Sequence, residues 1–146
     1  MTQLAAGAAQ VCGLPEHEVR TLRRAALLHD VGLHGVAASI LDKPGALSSA
    51  EWERVRLHAY WTERVLARPP ALARVGAVAS LANERFDGSG YHRGLSAAAI
   101  PATGRLLAAA GAYQVHEPAS SPPPCAFAEA GLRRAARRGP LGLAGS

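Results

Sequence analysis

Aromatic residues make up only 5% of the chain, and strands draw on aromatic and β-branched side chains, so a sheet-based fold is disfavoured. Cysteine is nearly absent too. Cys12 and Cys125 stand far apart and outside any motif, which gives no basis for a disulfide framework and leads us to expect reduced thiols in a cytoplasmic protein. No apolar run approaches the roughly 20 residues that span a bilayer. The N-terminus lacks the basic start and apolar core of a signal peptide. No internal repeat is visible. What is present in quantity is alanine and leucine, within a hydrophobic content of 49% over 146 residues, enough for the modest core of one domain of closely packed helices. Sixteen Lys and Arg against eleven Asp and Glu give a formal charge of +5, which permits contact with phosphates or an acidic partner.

Periodicity predicts a short helix over residues 3–12 with Leu4, Ala8 and Val11 on one face. A second runs from Pro15 to about His29, with Val19, Leu22, Ala26, Leu27 and Leu28 inside. Residues 31–47 read as irregular, with a turn at Lys43-Pro44-Gly45. Ser48 and Glu51 spell a capping box that starts a third helix carrying Trp52, Val55, Ala59 and Val65. Pro69-Pro70 ends it, and Leu72, Val75 and Ala82 outline a fourth. The run from Asn83 to Leu95 holds three glycines and an aspartate and reads as a functional loop. A last core helix follows, from about Pro101 to Val115. Residues 118–146 read as a Pro/Ser-rich linker and basic tail. Within it, 125–138 could form a short helix bearing Arg133, Arg134, Arg137 and Arg138, a cluster more often solvated than bound to DNA.

The centre of this layout is Leu27-Leu28-His29-Asp30-Val31-Gly32. An apolar helix ends in an imidazole and a carboxylate, which can converge only where the helix stops. His nitrogen and Asp oxygen suit Zn, Fe or Mn, but two ligands do not hold a metal. A helix C-terminal cap is the alternative reading, with Gly32 releasing the chain from helical geometry. His58 lies near the apolar face of its helix, where a core histidine is the commoner role.

The succession His29-Asp30, Leu41-Asp42-Lys43-Pro44-Gly45, Glu51-Trp52-Glu53, His58 and Asp87-Gly88-Ser89-Gly90-Tyr91 resembles the HD-GYP domain, a branch of the HD metal-dependent phosphohydrolases. The resemblance covers about residues 4–117, and residues 44–107 look especially like members joined to LuxR-type regulators. It implies an all-α, HD-type helical bundle over 1–117, with a long irregular loop after the HD helix and a Gly-rich loop before the last core helix. It implies an activity too, hydrolysis of cyclic di-GMP at a centre of two or three metals. His29, Asp30 and His58 match metal ligands, with Asp30 at the catalytic position. Asp87, Gly88, Gly90, Tyr91 and Arg93 fall where the nucleotide side of the cleft would be shaped.

The same resemblance marks losses. Ala82 and Asn83 stand where the family has two metal-binding histidines, Leu33 where it has a lysine near the reacting phosphate, and Gly111 where the last helix supplies an aspartate. His92 replaces the proline of Gly-Tyr-Pro. An upstream ligand helix would fall before Met1, and the expectation is a truncated, degenerate domain. Bridging two ions needs several anionic or imidazole ligands. The expected function is therefore a catalytically inactive, regulatory or binding domain, with an active phosphodiesterase and a non-enzymatic interaction fragment as alternatives. The expected cofactor is one divalent ion (Fe, Mn or Zn) or none. Expected partners are cyclic di-GMP or another nucleotide and a protein, without a membrane, and DNA contact is not expected from this chain alone.

Overall fold

The structure, a computed structural model, describes residues 1–116. The described residues form helices and 3-10 turns and contain no strand. The helices are α1 (Thr2–Val11), α2 (Glu16–Leu28), α3 (Ala38–Leu41), α4 (Ser49–Arg56), α5 (His58–Leu66), α6 (Pro70–Ala79) and α7 (Ala102–His116). Helix α2 is central and packs against α1, α6 and α7. The core between them is built largely from small residues: Ala5, Ala6 and Ala9 of α1 meet Leu22, Ala25 and Ala26 of α2, with Val75, Ala79, Leu107 and Ala110 closing the other sides.

That packing corrects the expected face of α1. Leu4 and Val11 are exposed and Ala8 is half-buried, whereas Ala5, Ala6 and Ala9 are buried. Close approach of α1 and α2 needs side chains without bulk, so the face with least volume turns inward. Leu27 is likewise exposed, not inside.

Two connections differ from expectation. Residues 31–47 are not wholly irregular: a 3-10 turn (Val31–Gly35) and α3 fold back on the chain. Leu33, Val36 and Ile40, spaced by three and four, are buried against Val55 in a second small core, and this burial organises the segment. The expected third helix is two, α4 and α5, meeting at Leu57, whose backbone stays helical (φ −63°, ψ −13°). Val65 on α5 is exposed rather than in the core. The capping box forms as the sequence predicts: the Glu51 amide donates to Ser48 Oγ and the Ser48 amide to Glu51 Oε2. The linker, the arginine cluster and the 125–138 helix lie outside the described residues.

Candidate functional site

Helix α2 stops at Leu28, and its last turn delivers His29 and Asp30 to the N-terminal end of α5, which begins with His58. Two features hold this corner together. Thr62, one turn beyond His58, is fully buried; its hydroxyl donates to the His29 carbonyl and accepts from the Gly32 amide, each at 3.0 Å. Gly32 lies flush against α5. A Cβ there would collide with the His58 carbonyl oxygen and come within 2.7 Å of the Thr62 nitrogen. Gly32 is thus required by close approach, not by the helix-releasing geometry expected of it.

His29, Asp30 and His58 converge. Asp30 Oδ2 is 3.0 Å from His29 Nε2, and Oδ1 is 3.7 Å from His58 Nε2. The protonation of His58 follows from its partners. Its Nδ1 lies 2.6 Å from the Val55 carbonyl. A carbonyl only accepts, so Nδ1 carries the proton and neutral His58 presents a lone pair at Nε2. Asn83 Nδ2 donates to that lone pair at 3.2 Å, while Asn83 Oδ1 accepts from the Tyr91 hydroxyl at 3.0 Å. Burial, with the Asp30 charge adding to it, pushes the Tyr91 hydroxyl up to about 12, so it keeps its proton and donates. Burial likewise lowers the His58 pKa and favours the neutral ring. Burial alone would raise Asp30, but hydrogen bonding to His29 and the electrostatic pull of the neighbouring imidazoles, His29 above all, outweigh it and leave the carboxyl below its ordinary value.

His29 differs. Its Nδ1 donates to the Ala26 carbonyl at 3.0 Å, and its Nε2 faces a carboxylate.

The opposite wall is the loop from Asn83 to Leu95. Glu84, buried at 2% exposure, accepts the Arg93 amide at Oε1 and the Leu95 amide at Oε2, each at 2.8 Å. Gly90 passes so close to the start of its own loop that a Cβ would sit 2.5 Å from Glu84 Cα and 2.6 Å from the Asn83 carbonyl. Asp87 accepts from the Ser89 amide and hydroxyl, which hold its carboxyl below the usual range and fix a turn.

Between the walls lies a cavity of about 770 Å³, within the size range of small-molecule sites. His29, Asp30, His58, Asp87, Gly90 and Tyr91 line it, with Trp52, Arg56, Asn83, Arg105 and Gln114. Gly88 and Arg93 stand outside its wall. The Arg93 guanidinium pairs with Glu63 on α5. Sequence reading missed Thr62, Glu84, Trp52 and Arg56. Thr62 and Trp52–Arg56 carried a signal, a polar residue four after His58 and an aromatic four before an arginine on one helix face. Gly111 lines the cavity.

The model of the HD domain family matches residues 1–130. The chain belongs to the HD domain family. Among curated proteins, this HD domain is 44% identical over 89 residues to 3'3'-cGAMP-specific phosphodiesterase 3 of Vibrio cholerae, covering 61% of the chain and 19% of that protein. It is 38% identical over 107 residues to the cyclic di-GMP phosphodiesterase of Thermotoga maritima (72% and 29%). It is 37% identical over 115 residues to the cyclic di-GMP phosphodiesterase response regulator RpfG of Xanthomonas campestris (77% and 30%). The chain therefore spans less than a third of the length of these relatives. No helix among the described residues is long and apolar enough to cross a membrane.

Members of this family use metal, so the donor set was tested against one. Among the described residues no group of three or more His, Cys, Asp or Glu side chains is arranged to hold an ion. The geometry gives the reason. His29 and Asp30 could share a cation, but the His58 lone pair is taken by Asn83, and Ala82 and Gly111 add no ligand atom. The set does not fit two bridged ions.

Proposed function

We propose that this HD domain binds a cyclic dinucleotide, of the cyclic di-GMP or 3'3'-cGAMP kind, and does not hydrolyse it. The observation that carries the reading is the Tyr91–Asn83–His58 relay. Where phosphodiester hydrolysis by paired ions needs open ligand atoms, this chain has hydrogen bonds already closed on one another. The cavity persists beside that relay, and the names of the relatives supply the ligand class. A regulatory or binding role in the cytoplasm, where such nucleotides would be met, follows from the same reading. The convergence of His29, Asp30 and His58 favours a second reading, a residual single-ion site that stops short of turnover.

The test has two arms. Incubated with cyclic di-GMP and Mn or Fe, the chain should form no linear dinucleotide above a metal-only control. In EDTA, calorimetry should still show binding. Product that scales with protein and vanishes in Asp30→Ala would overturn the reading.

A further inference from the structure

We infer that Arg56 contacts a phosphodiester oxygen of the bound nucleotide directly, with no metal ion between them. The inference rests on the binding reading above and assigns it an anion-contacting residue.

An anion entering this cavity meets the Asp30 carboxylate, and the two-ion centre that would neutralise it does not fit the donor set. Some other cation must offset the charge. Three arginines line the wall: Arg56, Arg85 and Arg105. Arg85 lies with its Nε 3.6 Å from Asp87 and is exposed. Arg105 is exposed on α7, and among the described residues no ion pair or side-chain hydrogen bond holds it in place. Arg56 is held. Its guanidinium carbon lies 5.8 Å from the Trp52 ring centre and 5.6 Å from that of Tyr91. Cation–π contact of this kind orients the planar group without using its N–H donors. Tyr91 is itself fixed by Asn83.

The terminal donors are still available. Arg56 Nε is buried without a hydrogen-bond partner and out of a ligand's reach, so the terminal nitrogens carry the contact, and NH1 meets only Glu53 at 3.1 Å, a largely exposed carboxylate on the same helix. Exposed pairs of this sort are weak, and a phosphodiester matches the guanidinium fork better than one carboxylate oxygen does. Arg56 thus combines charge, orientation and spare donors beside His29, Asp30 and His58.

The test uses the full chain in EDTA, with cyclic di-GMP and inorganic pyrophosphate as probes. Trp61→Phe is the background, so that tryptophan fluorescence reports Trp52 alone. Arg56→Gln should weaken both probes by about tenfold or more, the loss of a charge-assisted contact. Arg56→Lys should fall between, keeping charge without the planar fork. Arg64→Gln, on the exposed side of α5, should change nothing. Glu53→Gln should tighten binding by about two- to fivefold by releasing NH1, and it decides the matter if Arg56→Gln fails to fold. Unchanged cyclic di-GMP affinity in Arg56→Gln would overturn the inference and leave the binding reading standing. Arg56-dependent pyrophosphate binding without cyclic di-GMP binding would do the reverse. Silence of both probes would overturn both.

Discussion

The two walls of the cavity have kept different things. The wall made by the end of α2 and the start of α5 holds chemistry-bearing side chains around one carboxylate, with Asp30 3.0 Å from His29 Nε2 and 3.7 Å from His58 Nε2. The wall made by the Asn83–Leu95 loop and α7 offers Ala82, Asn83 and Gly111 where ligands were expected, yet it is as firmly built. Glu84 and Gly90 hold its backbone, and neither depends on a metal. Folding and ligation are thus separable here. A loop can stay in place without metal ligands when an internal carboxylate and a close backbone crossing fix its path.

The largest effect should come from the first wall. Gly32→Ala forces a methyl group into α5 backbone that cannot swing aside, unlike a flexible side chain. It should cost about 3 kcal/mol or more, at the upper end of overpacking penalties. A chemical-denaturation midpoint within error of the parent would mean that the α2–α5 corner is looser than described.

Next comes the loop. Glu84→Ala leaves the Arg93 and Leu95 amides without their acceptor and should destabilise the domain by about 2–4 kcal/mol. It should also raise amide hydrogen exchange over residues 83–97 while α1 and α2 stay protected. Uniform loss of protection would show that the loop and the bundle are one cooperative unit, and the separation drawn above would fail.

Metal affinity sharpens the same comparison. A Cβ at Gly111 would meet nothing nearer than the Met1 side chain at 3.9 Å. Gly111→Asp can therefore add an anionic oxygen to the ligand-poor wall, and Asp is also the better helix former. Titration of Mn or Zn by calorimetry should show about tenfold tighter binding than the parent, and a larger gain than Asn83→His gives. The Ala26 and Val55 carbonyls already orient both imidazoles through Nδ1, which fixes the ring that would meet an ion. Equal affinity in all three proteins would mean that α7 does not reach the ion.

What could be read in advance follows from the range of each interaction. His29, Asp30 and His58 were legible because they stand in a fixed succession of motifs, and the Ser48–Glu51 cap because it spans three residues. The inner face of α1 was not. Alanine is apolar at every register, so hydrophobic weighting favours Leu4 and Val11 while packing selects the smallest face. Nor was the bond from Asn83 to His58, which joins residues 25 apart. The arginine chosen from the glycine loop, Arg93, lies outside the cavity wall. Arg56 lines it, because α4 meets that loop only in the folded chain.

The smallest predicted effect concerns the start of α4, the helix that carries Trp52 and Arg56 to the cavity. Lys43 Nζ lies 2.9 and 2.7 Å from the two Glu51 carboxylate oxygens, and the Ser48 amide donates to Oε2 at 2.7 Å. These contacts, the lysine first, hold Glu51 down at about 2 against an ordinary 4.5. A carboxyl with a depressed folded-state pKa binds fewer protons folded than unfolded, so its contribution is complete above about pH 4.5 and fades toward pH 2. The group is solvent-exposed, so the contribution is modest and falls further with salt. Melting curves of the parent and Glu51→Gln should therefore differ most above pH 5 and draw together as pH approaches 2. Adding salt at neutral pH should narrow the gap. A difference that stays constant across the whole range would assign the effect to cap geometry, which Gln can partly imitate, rather than to the charge. Cyclic di-GMP affinity at neutral pH should be unchanged in Glu51→Gln, because the cap sets where α4 begins and Arg56 lies more than a turn further on.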